Sequence, residues 1–188
     1  MEIIVVLVLI ALYFFTSVTI VQQGNVAVIT RFGKYVRCMN AGLNFKVPFI
    51  DTVYKRISVQ NRSAELQFQA ITLDQANVDF KTMLLYAVLN QSEEVIQKVA
   101  FKFVDQSSFM QALIRTIEGS IRAFVATKKQ AEILTLRQEI ILHVKDQLDS
   151  QLEDWGFHLL DLQLNDITFD TVIMQSMAKV VASNNLKA

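Results

Sequence analysis

The stretch Asn77–Leu89, NVDFKTMLLYAVL, opens as an alternation of apolar and polar residues (Val78, Asp79, Phe80, Lys81) and becomes apolar on both sides from Met83 to Leu89. A period of two specifies a strand, and two apolar faces predict a sheet covered on both sides. After Asn90 the period lengthens to about 3.6 residues. Val95, Ile96, Val99 and Phe103 form one helical stripe, and Phe109, Leu113, Ile117, Ile121 and Val125 a second. Leu136, Ile140, Val144, Leu148 and Leu152 form a third. Thr135 with Gln138 three residues on has the spacing of a capping box at its start, and Gly156 stops it. Thr127–Glu132, with Lys128 and Lys129, reads as a solvated junction.

Upstream, Asn25–Phe32 places Val26, Val28 and Phe32 on one side of a strand and Ala27, Ile29 and Arg31 on the other. Arg31-Phe32-Gly33-Lys34 reads as a turn, and Thr52–Asn61 and Glu65–Leu73 are further strands. Downstream, Leu160, Leu162 and Leu164 alternate with Asp161, Gln163 and Asn165, so a strand returns before a helix-like Asp170–Leu186. Strands first, then helices with one late strand, make an α+β fold. The boundaries are an anchor over 1–21, a strand-rich part over 22–90 and a part of helices plus one strand over 91–188.

From Ile3 to Val21 no residue is charged. A helix of that length, at about 1.5 Å per residue, nearly matches the hydrocarbon thickness of a bilayer, which predicts a single-pass span through Ile3, Leu7, Leu9, Leu12, Phe15 and Val21. A secretory signal would carry Lys or Arg before the apolar run, where only Glu2 stands. After the span, Arg31, Lys34 and Arg37 come before any acid, the next being Asp51, so the positive-inside rule leans towards a cytoplasmic domain, with the other side left open.

Lys and Arg together number 18, as do Asp and Glu, so there is no basic excess to displace counterions from nucleic acid. Ser107, Ser108 and Ser176 lack the context of an activated nucleophile, and no two of the five glycines stand close enough to cradle a phosphate. His143, with Glu139 and Asp146 on the same helical face, lacks a second ligand cluster, and His158 reads as an edge residue. The sequence points to no enzyme, no cofactor and no metal.

Gln22-Gln23-Gly24, Arg31-Phe32-Gly33-Lys34-Tyr35, Gly42-Leu43-Asn44-Phe45 and Val47-Pro48-Phe49-Ile50-Asp51 come in an order that resembles stomatin-type members of the stomatin/prohibitin/flotillin (SPFH, Band 7) family. Trp155-Gly156-Phe157, Asn165-Asp166-Ile167 and Gln175-Ser176-Met177-Ala178 resemble the close of the same domain, so the likeness covers about Val21 to Asn185. It implies a two-part α+β domain lying against a bilayer, forming large homo-oligomeric rings or cages that organise a membrane microdomain and partners such as a membrane protease. Members usually continue into a long coiled coil, whereas this chain stops at Ala188, so it is either truncated or short. The runner-up is an accessory regulator of a membrane protease that builds no closed assembly.

Three further groups carry two readings each. Phe45, Lys46, Val47, Pro48, Phe49 and Ile50 form either an interfacial loop, with Lys46 reaching lipid phosphates, or part of the core. Arg137, Glu139, Lys145, Asp149 and Glu153 are either a solvated face or contacts between subunits. Cys38 is either an acylation site near the anchor, its thiolate favoured by Arg37, or an inert thiol.

Overall fold

A computed structural model describes residues 1–169, with the side chains of 8–11 excepted. The expected closing helix, and with it Gln175-Ser176-Met177-Ala178, lies outside the described residues. The described chain is α+β. Its elements are α1 (Glu2–Ser17), β1 (Val18–Val21), β2 (Asn25–Arg31), β3 (Lys34–Met39), β4 (Gly42–Phe45), β5 (Asp51–Ser58), β6 (Arg62–Ile71), β7 (Asn77–Val88), α2 (Glu93–Phe101), α3 (Gln106–Val125), α4 (Gln130–Ile133), α5 (Arg137–Asp154) and β8 (Phe157–Phe169). The strands form three sheets, β1-β4, β3-β2-β5 and β6-β7-β8. Two compact units result: Met1–Asn61 with Ala87–Phe103 and Asp154–Phe157, and Arg62–Tyr86 with Val104–Glu153 and the chain from His158.

In the first unit β2 is central, and Val26 to Thr30 are all buried. Ala27 and Ile29 pack with Met39 and with Val21 of β1, while α2 packs against β2, β3 and β5. A strand covered on both faces has no room for a polar side, which is why its sequence is almost continuously apolar. The strand ends at Arg31. Phe32 therefore does not share a face with Val26 and Val28, as the alternation suggested, but sits in the turn, 86% exposed. Register shifts flank Ile29 on both sides: Ile29 pairs with Arg37 and Thr30 with Tyr35, passing over Val36, and Val28 pairs with Lys55 and Ile29 with Val53, passing over Tyr54. The first bulge turns Tyr35 and Cys38 to the same face. Tyr35 meets the Phe101 ring edge-on at 6.3 Å, and Tyr54 stacks on it at 4.9 Å. Ser92 caps α2, its hydroxyl accepting from the Val95 N–H. Gly156 comes after α5 at φ +86°, and its carbonyl accepts from the Leu89 N–H.

In the second unit β6 and β7 run antiparallel from Arg62 opposite Tyr86 to Ile71 opposite Asn77. Phe68 and Phe80 face each other in register and stack at 5.6 Å. The stripes of α3 and α5 are buried as their spacing predicts, including Leu113, Ile117, Ile140, Val144 and Leu148. Four expectations are corrected. Met83, Leu85 and Ala87 are only half-buried, so the second face of β7 stays partly open. Thr135 does not open α5: its hydroxyl donates to the Glu132 carbonyl and the helix starts at Arg137. The junction over 127–132 is not wholly solvated, because it includes the first part of α4, whose Gln130 is buried with its N–H donating to Asp74. Leu160 does not share a face with Leu162. It is 38% exposed while Leu159 is buried, because the alternation slips by one residue at Asp161.

Candidate membrane-facing surface

Apolar all round, α1 has no polar face to turn to water. Ile3, Leu7, Leu12 and Phe15 are 61–85% exposed; the side chain of Leu9 lies outside those described. The expected span from Ile3 to Val21 is corrected, because α1 has 16 residues, about 24 Å at 1.5 Å each. No helix among the described residues is long and apolar enough to cross a membrane. The reason lies in β-branched Val18-Thr19-Ile20-Val21, which extends and pairs with β4 from Val18 opposite Phe45 to Val21 opposite Gly42. Val21 thereby becomes a core residue, 2% exposed. Hydroxyls of Thr16 and Ser17 bond back to carbonyls of the last helical turn.

The connection from β4 to β5 folds against the end of α1. The Lys46 N–H donates to the Ser17 carbonyl at 2.8 Å, and Phe14 meets Phe45 edge-on at 6.3 Å. Asp51 fixes the rest of this connection. Its side chain is 1% exposed and accepts from Arg31 Nε at 2.8 Å and from the Val47 N–H at 3.0 Å. Chiefly through the Arg31 hydrogen bond, and against the cost of its own burial, the carboxyl is held below the usual carboxylate range. This clamp closes a turn in which Pro48 is buried, Val47 is half-buried and Phe49 projects, 98% exposed at φ +66°. Phe45 and Ile50 are 52% and 37% exposed, so neither fills the core.

Arg31 pairs with Lys34 on one side and Asp51 on the other, so the Phe32-Gly33 turn and Phe49 leave the same end of the sheet. Phe32 has φ +50° and Gly33 φ +81°, the left-handed pair that a two-residue type I′ hairpin requires. Two phenylalanines held in a region costly for bulky residues, both pointing outwards, are not explained by folding alone. Ile20 and Leu43, opposite each other on β1 and β4, add 66% and 61% exposed apolar side chains. Arg37 and Lys46 border this surface beside Tyr13 and Ser17.

The family profile described as SPFH domain / Band 7 matches residues 19–188. The chain belongs to the SPFH/Band 7 family. It is 26% identical over 188 residues to an uncharacterised protein of Methanothermobacter thermautotrophicus, covering all of this chain and 56% of that one. Against an uncharacterised protein of Methanocaldococcus jannaschii the identity is 23% over 91% of this chain and 82% of the other. A stomatin homologue of Pyrococcus abyssi is 21% identical over 93% of this chain and 62% of its own length. Against several relatives the chain spans about half their length, 43% for a Mycobacterium tuberculosis protein. Members of the SPFH family generally act as membrane-associated scaffolds and are generally not enzymes.

The remaining candidates of this SPFH chain lie elsewhere. Cys38 is half-buried with Sγ 3.4 Å from Tyr35 Oη, and burial pushes its thiol up, away from thiolate. Arg37 does not favour thiolate as its adjacency suggested, because successive strand residues point to opposite faces. On α5, Arg137 donates to the Asn165 carbonyl at 3.4 Å and Lys145 lies 3.9 Å from Asp161, so both engage β8 of their own chain. Asp149 is half-buried, and Glu139 and Glu153 are exposed. His143 packs on the Phe124 ring at 5.3 Å and His158 is exposed. Sequence reading missed the Arg31–Asp51 clamp. Its only sequence signal is that Asp51 is the first acid after Glu2, and the pairing depends on β2 and β5 becoming neighbours.

Proposed function

We propose that this chain is a membrane scaffold that self-assembles into a ring or cage, bounding a patch of bilayer and organising partner membrane proteins. The observation that carries the membrane part is the gathering of α1, Phe45, Phe49 and the Phe32 turn at one end of the first unit, outward-facing and apolar. A helix whose described apolar side chains are all exposed is stable in hydrocarbon and not in water. At about 24 Å, α1 sits within a bilayer leaflet and part of the next, spanning only with local thinning. Phe32 and Phe49 then enter the interfacial region beside it. Family membership supports the scaffold part. Tethering subunits to one membrane raises their effective concentration, so weak lateral contacts suffice, and a heterologous contact repeated about an axis normal to the membrane closes a ring.

Gentle-detergent extraction followed by native mass measurement and particle imaging tests the proposal. Many subunits per particle are expected. A single-chain mass across detergents and concentrations, with no cross-linked ladder in intact membranes, would replace the scaffold with the accessory regulator of a membrane protease.

A further inference from the structure

Where α1 ends, a cleft of about 320 Å³ opens between the last turn of the helix and the start of the β4–β5 connection. Its walls are part aromatic, from Tyr13 and Phe45, and part polar, from Ser17, Arg37 and Lys46. Two cations meet there with no ion-pair partner among the described residues, although Asp51 feels the charge of Arg37 at longer range. Arg37 is oriented by donating to the Phe45 carbonyl oxygen, which leaves most of its five N–H donors free. Lys46 is held at the helix end by the bond of its backbone to Ser17. The one nearby acid, Asp51, is consumed by Arg31 and by the Val47 N–H.

We propose that this cleft binds the anionic headgroup of a glycerophospholipid, an inference that rests on the membrane-scaffold reading. With α1 in hydrocarbon, its C-terminal end lies at the depth of the lipid phosphates. A tyrosine, an arginine and a lysine around a half-open cleft at that depth match a phosphodiester: guanidinium and ammonium take the oxygens, and the aromatic rings flank the glycerol. The cations do more than attract a charged surface, because the Arg37 guanidinium is aimed by the Phe45 carbonyl and the Lys46 main chain is anchored to Ser17 at the cleft wall. Lys34, exposed at the hairpin start, does not line the cleft and serves as the control.

The full chain is reconstituted in phosphatidylcholine vesicles carrying trace spin-labelled phosphatidylglycerol or spin-labelled phosphatidylcholine, and the motionally restricted fraction of each label is measured. Phosphatidylglycerol is expected to be preferred, by about fivefold for each cation engaged. Arg37→Gln and Lys46→Gln should each remove about one such factor, while Lys34→Gln leaves most of the preference. Thermal unfolding of each variant checks its fold, and Lys46→Arg, which keeps the charge, should retain the preference. Equal restriction of both labels, or a loss with Lys34→Gln as large as with Lys46→Gln, overturns the site and leaves membrane association standing. Displacement of the lipid label by inorganic phosphate reassigns the cleft to a free anion and also overturns it. Restriction of neither label removes the membrane reading together with the site.

Discussion

Gly156 stands at φ +86°, and a Cβ there would meet Val99 Cγ2 at 2.8 Å and the Val95 carbonyl oxygen at 3.0 Å. Backbone cannot yield as a flexible side chain can. Gly156→Ala should therefore destabilise by about 1–3 kcal/mol, measured as a shift in the denaturant midpoint. Phe32 and Phe49 present the opposite case, since their left-handed conformations suit asparagine better than a bulky ring. Phe32→Asn would create an Asn-Gly hairpin turn. Each of Phe32→Asn and Phe49→Asn should raise stability in detergent, by about 1 kcal/mol of relieved backbone strain, while weakening partition of the chain into vesicles. A residue kept for packing would show loss of stability instead. The motifs around both phenylalanines were legible in the sequence; their strain and common direction were not, because both arise from how β2 pairs with β3 and β5.

At the scale of elements, stripes were read correctly where neighbours within one helix decide the face. Leu148 lies on the buried stripe of α5, 1% exposed, and Leu148→Ala should cost roughly 2–5 kcal/mol by thermal or denaturant unfolding. An unchanged midpoint would mean that the helix does not pack there. Lengths and faces of strands were read less well. Local periodicity placed Leu160 with Leu162, but the slip at Asp161, whose carboxylate accepts from the Leu162 N–H, moved it to the other face. The end of α1 was misplaced because Val18–Val21 is apolar enough for hydrocarbon and branched enough for a strand, and only β4 decides between them.

For the whole molecule, acid is the informative perturbation. Asp51, Asp74 and Asp161 all have carboxyls held below the usual range, by hydrogen bonds from Arg31, Thr72 and Gln163 respectively in the leading role. A folded-state pKa below the unfolded value of about 3.9 makes the contribution complete above roughly pH 5 and loses it as pH falls through the lower folded values. The midpoint of unfolding should thus hold steady from pH 7 to about 5 and drop below about pH 4. Asp51→Asn should flatten that dependence in the first unit and lower its stability near neutrality, read by hydrogen exchange in β2 and β5. The same substitution should loosen the turn that carries Phe49, so vesicle binding is expected to weaken with it.

By itself the sequence determined the α+β class, the SPFH likeness, the apolar N-terminal segment and the helical stripes, since each depends on residues near one another along the chain. Tertiary structure decided which residues meet across it. It ended α1 at Ser17, put Val21 in a core, paired Arg31 with Asp51 and brought Phe32, Phe49 and the Arg37–Lys46 cleft to their places. Strand pairing is the physical cause: β1 finds β4 and β2 finds β5 across twenty or more residues, and nothing near either strand names its partner.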